Sequence, residues 1–104
     1  NRSELLPASR KLLDRVANTL RNNPGIRLVR VEGHTDDKGN AARNLRLSQA
    51  RAVSVLNYLV KRGVARRRLT AVGYGHRRPK VPNSNAKNRA INRRVEFIIV
   101  HQTR

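Results

Sequence analysis

The chain has 104 residues, enough for one modest hydrophobic core, and its apolar share rests on Leu, Val, Ile and Ala, with two Tyr, one Phe and no Trp, Met or Cys. Those absences exclude disulfides, thiolate catalysis and Cys-ligated zinc, and nearly exclude aromatic recognition surfaces; no run approaches the roughly 18 apolar residues of a membrane span. The charge is extreme: 24 Lys and Arg against 6 Asp and Glu give a formal +18, which draws polyanions to the surface before any specific contact forms.

In chain order, Leu12, Leu13, Val16, Ala17 and Leu20 recur at spacings of three and four, which predicts an amphipathic helix from about Pro7 to Arg21. Proline suits its first turn, and Asn22-Asn23-Pro24-Gly25 stops it. Ile26 to Glu32 is rich in β-branched residues, with Val29 and Val31 on one face, and reads as a strand. A polar loop from Gly33 to Asn40 follows. A second, longer helix runs from about Ala42 to Arg62 and ends at Gly63; its core arc is Ser48, Ala52, Val55, Leu56 and Leu59, with Arg51 at the border. Leu69 to Tyr74 is a short strand and Pro79 to Asn85 a loop, with a helical turn around Ala86 to Asn92. Val95 to His101 is apolar on both faces except at Glu96, which predicts a well-buried strand. The order gives an α+β fold, a two-layer sandwich of helices on a mixed sheet, in one domain. No strand precedes the first helix, so the chain reads as a piece of a larger protein.

Two features carry chemistry. Asp36 and Asp37 place two of six acids side by side in the loop after the first strand, where ligands gather in open α/β arrangements. Asp36 either binds backbone N–H groups of a turn or offers a negative charge to a ligand. Arg51, at the edge of an apolar arc, is either a clamp on a loop or a ligand group. If the crossover brings the two together, the acid takes an ammonium and the guanidinium takes a carboxylate, making a receptor for a zwitterion.

Catalysis finds no support. His34, His76 and His101 lack metal-ligand spacing, Gly73-Tyr74-Gly75 is a bulge or tight turn, and adjacent acids on one loop cannot flank a glycosidic bond. The basic residues are scattered except for Arg66-Arg67-Arg68 and Arg77-Arg78. This argues against specific nucleic-acid recognition, and leaves polyanion or nucleic-acid binding by the basic surface as the alternative.

The strings Val-Glu-Gly-His-Thr-Asp (31–36), Asn44-Leu45-Arg46-Leu47-Ser48-Gln49-Ala50-Arg51-Ala52, Gly73-Tyr74-Gly75 and Asn92-Arg93-Arg94-Val95-Glu96-Phe97 together resemble the OmpA-like C-terminal domain. That family includes outer-membrane anchors, peptidoglycan-associated lipoproteins and flagellar stator proteins, and the resemblance covers nearly the whole chain. It implies a noncovalent peptidoglycan binder, without a cofactor, on the periplasmic side of the envelope and associated with the outer membrane through its parent protein. The ligand so implied is the diaminopimelate residue of the stem peptide, held by Asp36 and Arg51. Asn44 and Leu47 fall on positions that line the pocket; Thr35, Asp37, Lys38 and Gly39 form its rim. Asn1 matches a polar position that reaches the ligand, and Arg94 either braces the pocket or packs at the sheet edge. Members of the family carry a β-α-β-α-β-β sheet of order 1-4-2-3, and the first strand is missing here. The last strand then has an open edge, which invites self-association through Val95 to Val100 or cover by another segment.

Overall fold

The computed structural model describes residues 7–103, with side chains from Arg10 onward. Seven elements follow one another: α1 (Pro7–Asn22), β1 (Ile26–Gly33), α2 (Ala41–Lys61), a 3-10 turn (Arg66–Arg68), β2 (Leu69–Gly73), α3 (Ala86–Asn92) and β3 (Val95–Gln102). Each boundary has a local cause. α1 stops where Pro24 and Gly25 cannot continue it. α2 starts at Asn40, whose side chain accepts the Arg43 N–H at 3.0 Å, and it ends before Gly63, which sits at φ +97°, where an L side chain would be strained.

β1 lies at the centre of a mixed sheet of order β2-β1-β3. β2 runs parallel to it, from Val29 opposite Leu69 to Gly33 opposite Gly73; β3 runs antiparallel, with Val31 opposite Phe97 and Gly33 opposite Val95. Among the described residues the fully buried core is aliphatic: Leu13, Ala17 and Leu20 of α1 and Ala52, Val55, Leu56 and Leu59 of α2 pack on Val29, Val31 and Leu69. The helix arc expected from the wheel is thus the buried one, and Ser48 on it is buried as well.

Two glycines let α2 approach the sheet closely. A Cβ on Gly33 would stand 2.2 Å from the Ser48 carbonyl oxygen, and one on Gly73 would stand 2.2 Å from the Gln49 nitrogen. Polar side chains on the same turn of α2 fasten the contact. The Ser48 hydroxyl accepts the Gly75 N–H at 2.9 Å, while the Gln49 carboxamide accepts the Gly73 N–H at 2.7 Å and donates to the Ala71 carbonyl at 3.2 Å. The helix is therefore locked onto the strand ends that open into the loop of Asp36.

β3 departs from expectation. Its first half is only partly buried and its second half is exposed, with Ile99 at 51% and Val100 at 47% of full exposure. The reason is topological: among the described residues β3 pairs with β1 alone, so a sequence apolar on both faces lacks a second neighbour to bury it.

Candidate functional site

The segment His34-Thr35-Asp36 leaves the end of β1 and is buried throughout. Backbone bonds fix it from both sides: the His34 N–H donates to the Arg94 carbonyl at 2.9 Å and the Thr35 N–H to the Gly75 carbonyl at 2.9 Å. The loop beyond it is held by Asn44 of α2, 4% exposed, whose amide donates to the Lys38 carbonyl at 2.8 Å. Gly39 takes φ +86°, which turns the chain into α2.

Asp36 is only 3% exposed, yet it is a carboxylate. Burial alone pushes its pKa up; the Arg93 guanidinium, the Lys38 N–H and the charges of Arg93 and Arg89 outweigh burial and hold it below the usual carboxylate value. Oδ2 accepts from Arg93 Nη1 at 2.6 Å and Oδ1 accepts from the Lys38 N–H at 3.0 Å. A carboxylate offers about four lone-pair positions, so roughly two remain on Asp36.

Arg51 projects from α2 toward the same segment, and its Nη1 lies 3.4 Å from the His34 carbonyl oxygen, two residues before Asp36. Burial, and then the neighbouring charge of Arg93, lower its pKa, so the two guanidinium groups lie within electrostatic reach of each other. Two cations and one acid therefore meet at one end of β1. Both bland readings of the sequence are also visible here: Asp36 closes a turn onto Lys38, and Arg51 clamps the loop at His34.

The remaining expected site residues divide. Asp37, Lys38 and Gly39 form an exposed rim, and Leu47 is half-buried on the adjoining helix. Thr35, expected at the rim, is 1% exposed, and its hydroxyl donates to the Asp36 carbonyl at 2.9 Å; it shapes the loop from inside. Arg94 braces a different contact: its guanidinium donates to Glu96 and, at 3.0 Å, to the Arg78 carbonyl. Asn1 lies outside the described residues. The residue that sequence reasoning missed is Arg93, the immediate neighbour of the arginine it named.

Beneath the loop a buried network fixes its floor. Glu32 accepts from Arg30 at 2.8 Å and meets His34 Nε2 at 3.3 Å. Since a carboxylate can only accept, Nε2 carries the imidazole proton, which leaves the Nδ1 lone pair as a buried atom without a partner among the described residues. Burial and then Arg94 lower the His34 pKa, so the ring stays neutral; it stacks on Tyr74 with centroids 5.4 Å apart, and Arg78 sits 4.0 Å over the Tyr74 ring. Among the described residues no group of His, Asp and Glu could hold a metal, and no helix is long and apolar enough to cross a membrane.

A family-wide sequence profile, that of the OmpA family, matches residues 1–93. The chain belongs to the OmpA family. It is 41% identical over 97 residues to the peptidoglycan-binding protein ArfA of Mycobacterium bovis, covering 93% of this chain and 29% of that protein. It is also 40% identical over 95 residues to the peptidoglycan-associated lipoprotein of Pseudomonas aeruginosa, covering 91% of this chain and 55% of that protein. The chain thus spans between about a third and about half the length of these relatives. Among solved structures, the C-terminal domain of Helicobacter pylori MotB superposes with TM-score 0.87 at 28% identity, over 92% of this chain and 74% of that one. The peptidoglycan-associated lipoprotein of Burkholderia pseudomallei gives TM-score 0.87 at 28% identity, over 94% and 82%. The α+β sandwich of helices on a mixed sheet is thus the OmpA-family fold.

Proposed function

We propose that this OmpA-family domain binds peptidoglycan noncovalently, on the periplasmic side of the cell envelope, as one part of a larger envelope protein that it anchors to the wall. The ligand head is the diaminopimelate residue of the stem peptide: Asp36 takes the ammonium on its remaining lone pairs, and Arg51 takes the carboxylate through its planar fork. The observation that carries this reading is the convergence of Asp36, Arg51 and Arg93 on the segment from His34 to Asp36. Asn44 and Leu47 shape the wall of the site, and residues 37–39 its rim. The role is binding without turnover, and peptidoglycan-binding relatives support it. Self-association through the outer edge of β3 accompanies this reading and would show as a concentration-dependent mass.

The test is a pull-down on purified sacculi at moderate salt, with titration of a diaminopimelate-containing muropeptide alongside. Wild type binds, and Asp36→Ala and Arg51→Ala each bind far more weakly, because removing one partner strands the opposite ligand charge. Binding that falls steeply with salt and ignores Asp36→Ala would instead mark general polyanion binding.

A further inference from the structure

The charge of this chain is not evenly spread, and the pole opposite Asp36 collects a cluster of arginines around a cleft. Arg21, Pro24, Arg27, Gly63, Ala65, Arg67 and Arg68 line it, enclosing about 520 Å³. β1 separates the two poles: Ile26 and Arg27 open the strand at the cleft, and Gly33 closes it at the loop of Asp36. Seven steps at about 3.3 Å put them roughly 23 Å apart.

Two of the four arginines have structural duties. Both long helices end here, and the aligned carbonyls of each C-terminus amount to about half a negative charge. Arg68 donates to the Leu20 carbonyl at 2.8 Å, to that of Asn23 at 3.0 Å and to that of Ile26 at 2.8 Å, while Arg21 donates to the Arg62 carbonyl. These bonds fix the guanidinium groups in place and leave Arg68 Nη1 without a partner among the described residues.

Arg27 and Arg67 have no such explanation. Both are exposed, and neither side chain makes a hydrogen bond or ion pair with any described residue. Among the described residues the acids are elsewhere: Glu32, Glu96, Asp36 and Asp37 lie at or beyond the far end of β1, and Asp14 is engaged by Arg62 Nε at 2.9 Å and by the Tyr58 hydroxyl at 2.8 Å. Four guanidinium groups against two helix ends of about half a charge each leave the cleft strongly positive. Arginine forks converging on a concave surface with no acid among the described residues match the tetrahedral oxygens of a phosphate group.

We propose that this cleft is a second binding site, independent of the first, which takes a phosphate-class anion between Arg27, Arg67 and Arg68 Nη1. The anion is either a soluble phosphate or the phosphodiester of a lipid headgroup. The domain is then bipolar, with one end that clasps a zwitterion and another that holds an anion.

The experiment follows backbone amide shifts while inorganic pyrophosphate replaces chloride at constant ionic strength. The proposal expects saturable shifts centred on residues 24–27 and 63–68. Binding should weaken about tenfold in Arg27→Gln/Arg67→Gln, a modest figure because both side chains are solvated. It should be unchanged in Asp36→Ala and in Lys11→Gln/Lys87→Gln, which removes the same charge elsewhere on the exposed surface. Equal weakening by the two double variants, or shifts that never saturate, would overturn the site, whatever becomes of wall binding. Sedimentation with phosphatidylglycerol or phosphatidylcholine vesicles identifies the source. Pelleting with the anionic vesicles alone that is lost in Arg27→Gln/Arg67→Gln supports a lipid headgroup, and pyrophosphate binding without pelleting supports a soluble phosphate.

Discussion

Gly33→Ala tests the contact that positions the site. The new methyl carbon would stand 2.2 Å from the Ser48 carbonyl oxygen and 3.0 Å from its carbon, both main-chain atoms of α2. Carbon and oxygen settle no closer than about 3.3 Å, so helix and strand must part by roughly 1 Å. Overpacking of this kind costs about 1–3 kcal/mol, and the upper figure applies because no side chain can swing away. Against a total of about 5–15 kcal/mol for a domain, a loss near 3 kcal/mol is large, and it corresponds to a fall in Tm of roughly 12–24 °C. Arg51 lies three residues beyond Ser48 on the same helix, so the displacement also moves it away from the His34 carbonyl. Urea denaturation with thermal melts is the assay, and Gly39→Ala is the comparison. At Gly39 nothing lies within 4 Å and φ is +86°, so that variant carries only the left-handed backbone strain. Such strain costs about 1–2 kcal/mol. A Gly33→Ala protein within about 0.5 kcal/mol of wild type would refute the close approach as the constraint on α2.

Arg93→Gln should raise the Asp36 pKa, followed by carboxyl carbon shifts, and destabilise the fold by about 1–2 kcal/mol, less than a fully buried pair because Arg93 is partly solvated. An unmoved Asp36 titration would show that the Lys38 N–H suffices. Acid should weaken the fold in two stages. His34 has its pKa lowered in the fold, so stability begins to fall once the unfolded chain takes up its proton near pH 6.5. Asp36 and Glu32 also have lowered values, so what they contribute is intact above about pH 4.5 and is lost as pH drops through their folded values. Equal urea midpoints at pH 7 and pH 5 would contradict the assignment of His34 as buried and neutral.

How much of this was legible in the sequence varies by residue. Helices and strands were legible because Leu13, Ala17, Leu20 and the arc from Ser48 to Leu59 repeat at the helical period, and Val29 and Val31 at the strand period. β3 misled because an apolar run signals burial only if neighbours exist on both sides. The choice between Arg93 and Arg94 was not legible. α3 ends at Asn92 with Arg93 as its C-cap, so both arginines stand past the last helical residue, where no period dictates direction, and only the fold turns Arg93 toward Asp36 and Arg94 toward Glu96. Arg68 was hidden in the same way: within a charged triplet it resembled a surface residue, whereas it gathers carbonyls from three residues at the end of α1 and the start of β1. Thr35 followed a motif onto the rim, but its backbone bond to Gly75 draws it inside.

The zwitterion clasp is tested most directly by crossing ligand charge with protein variant in one calorimetric series. A diaminopimelate muropeptide is prepared intact, with its terminal carboxylate amidated, and with its free amine acetylated, and each is titrated into wild type, Asp36→Ala and Arg51→Ala. The account predicts that amidation weakens wild type but makes no further difference to Arg51→Ala, and that acetylation weakens wild type but makes no further difference to Asp36→Ala. If both modifications weakened all three proteins equally, the two side chains would not hold opposite poles of one head group, and the central claim would fail.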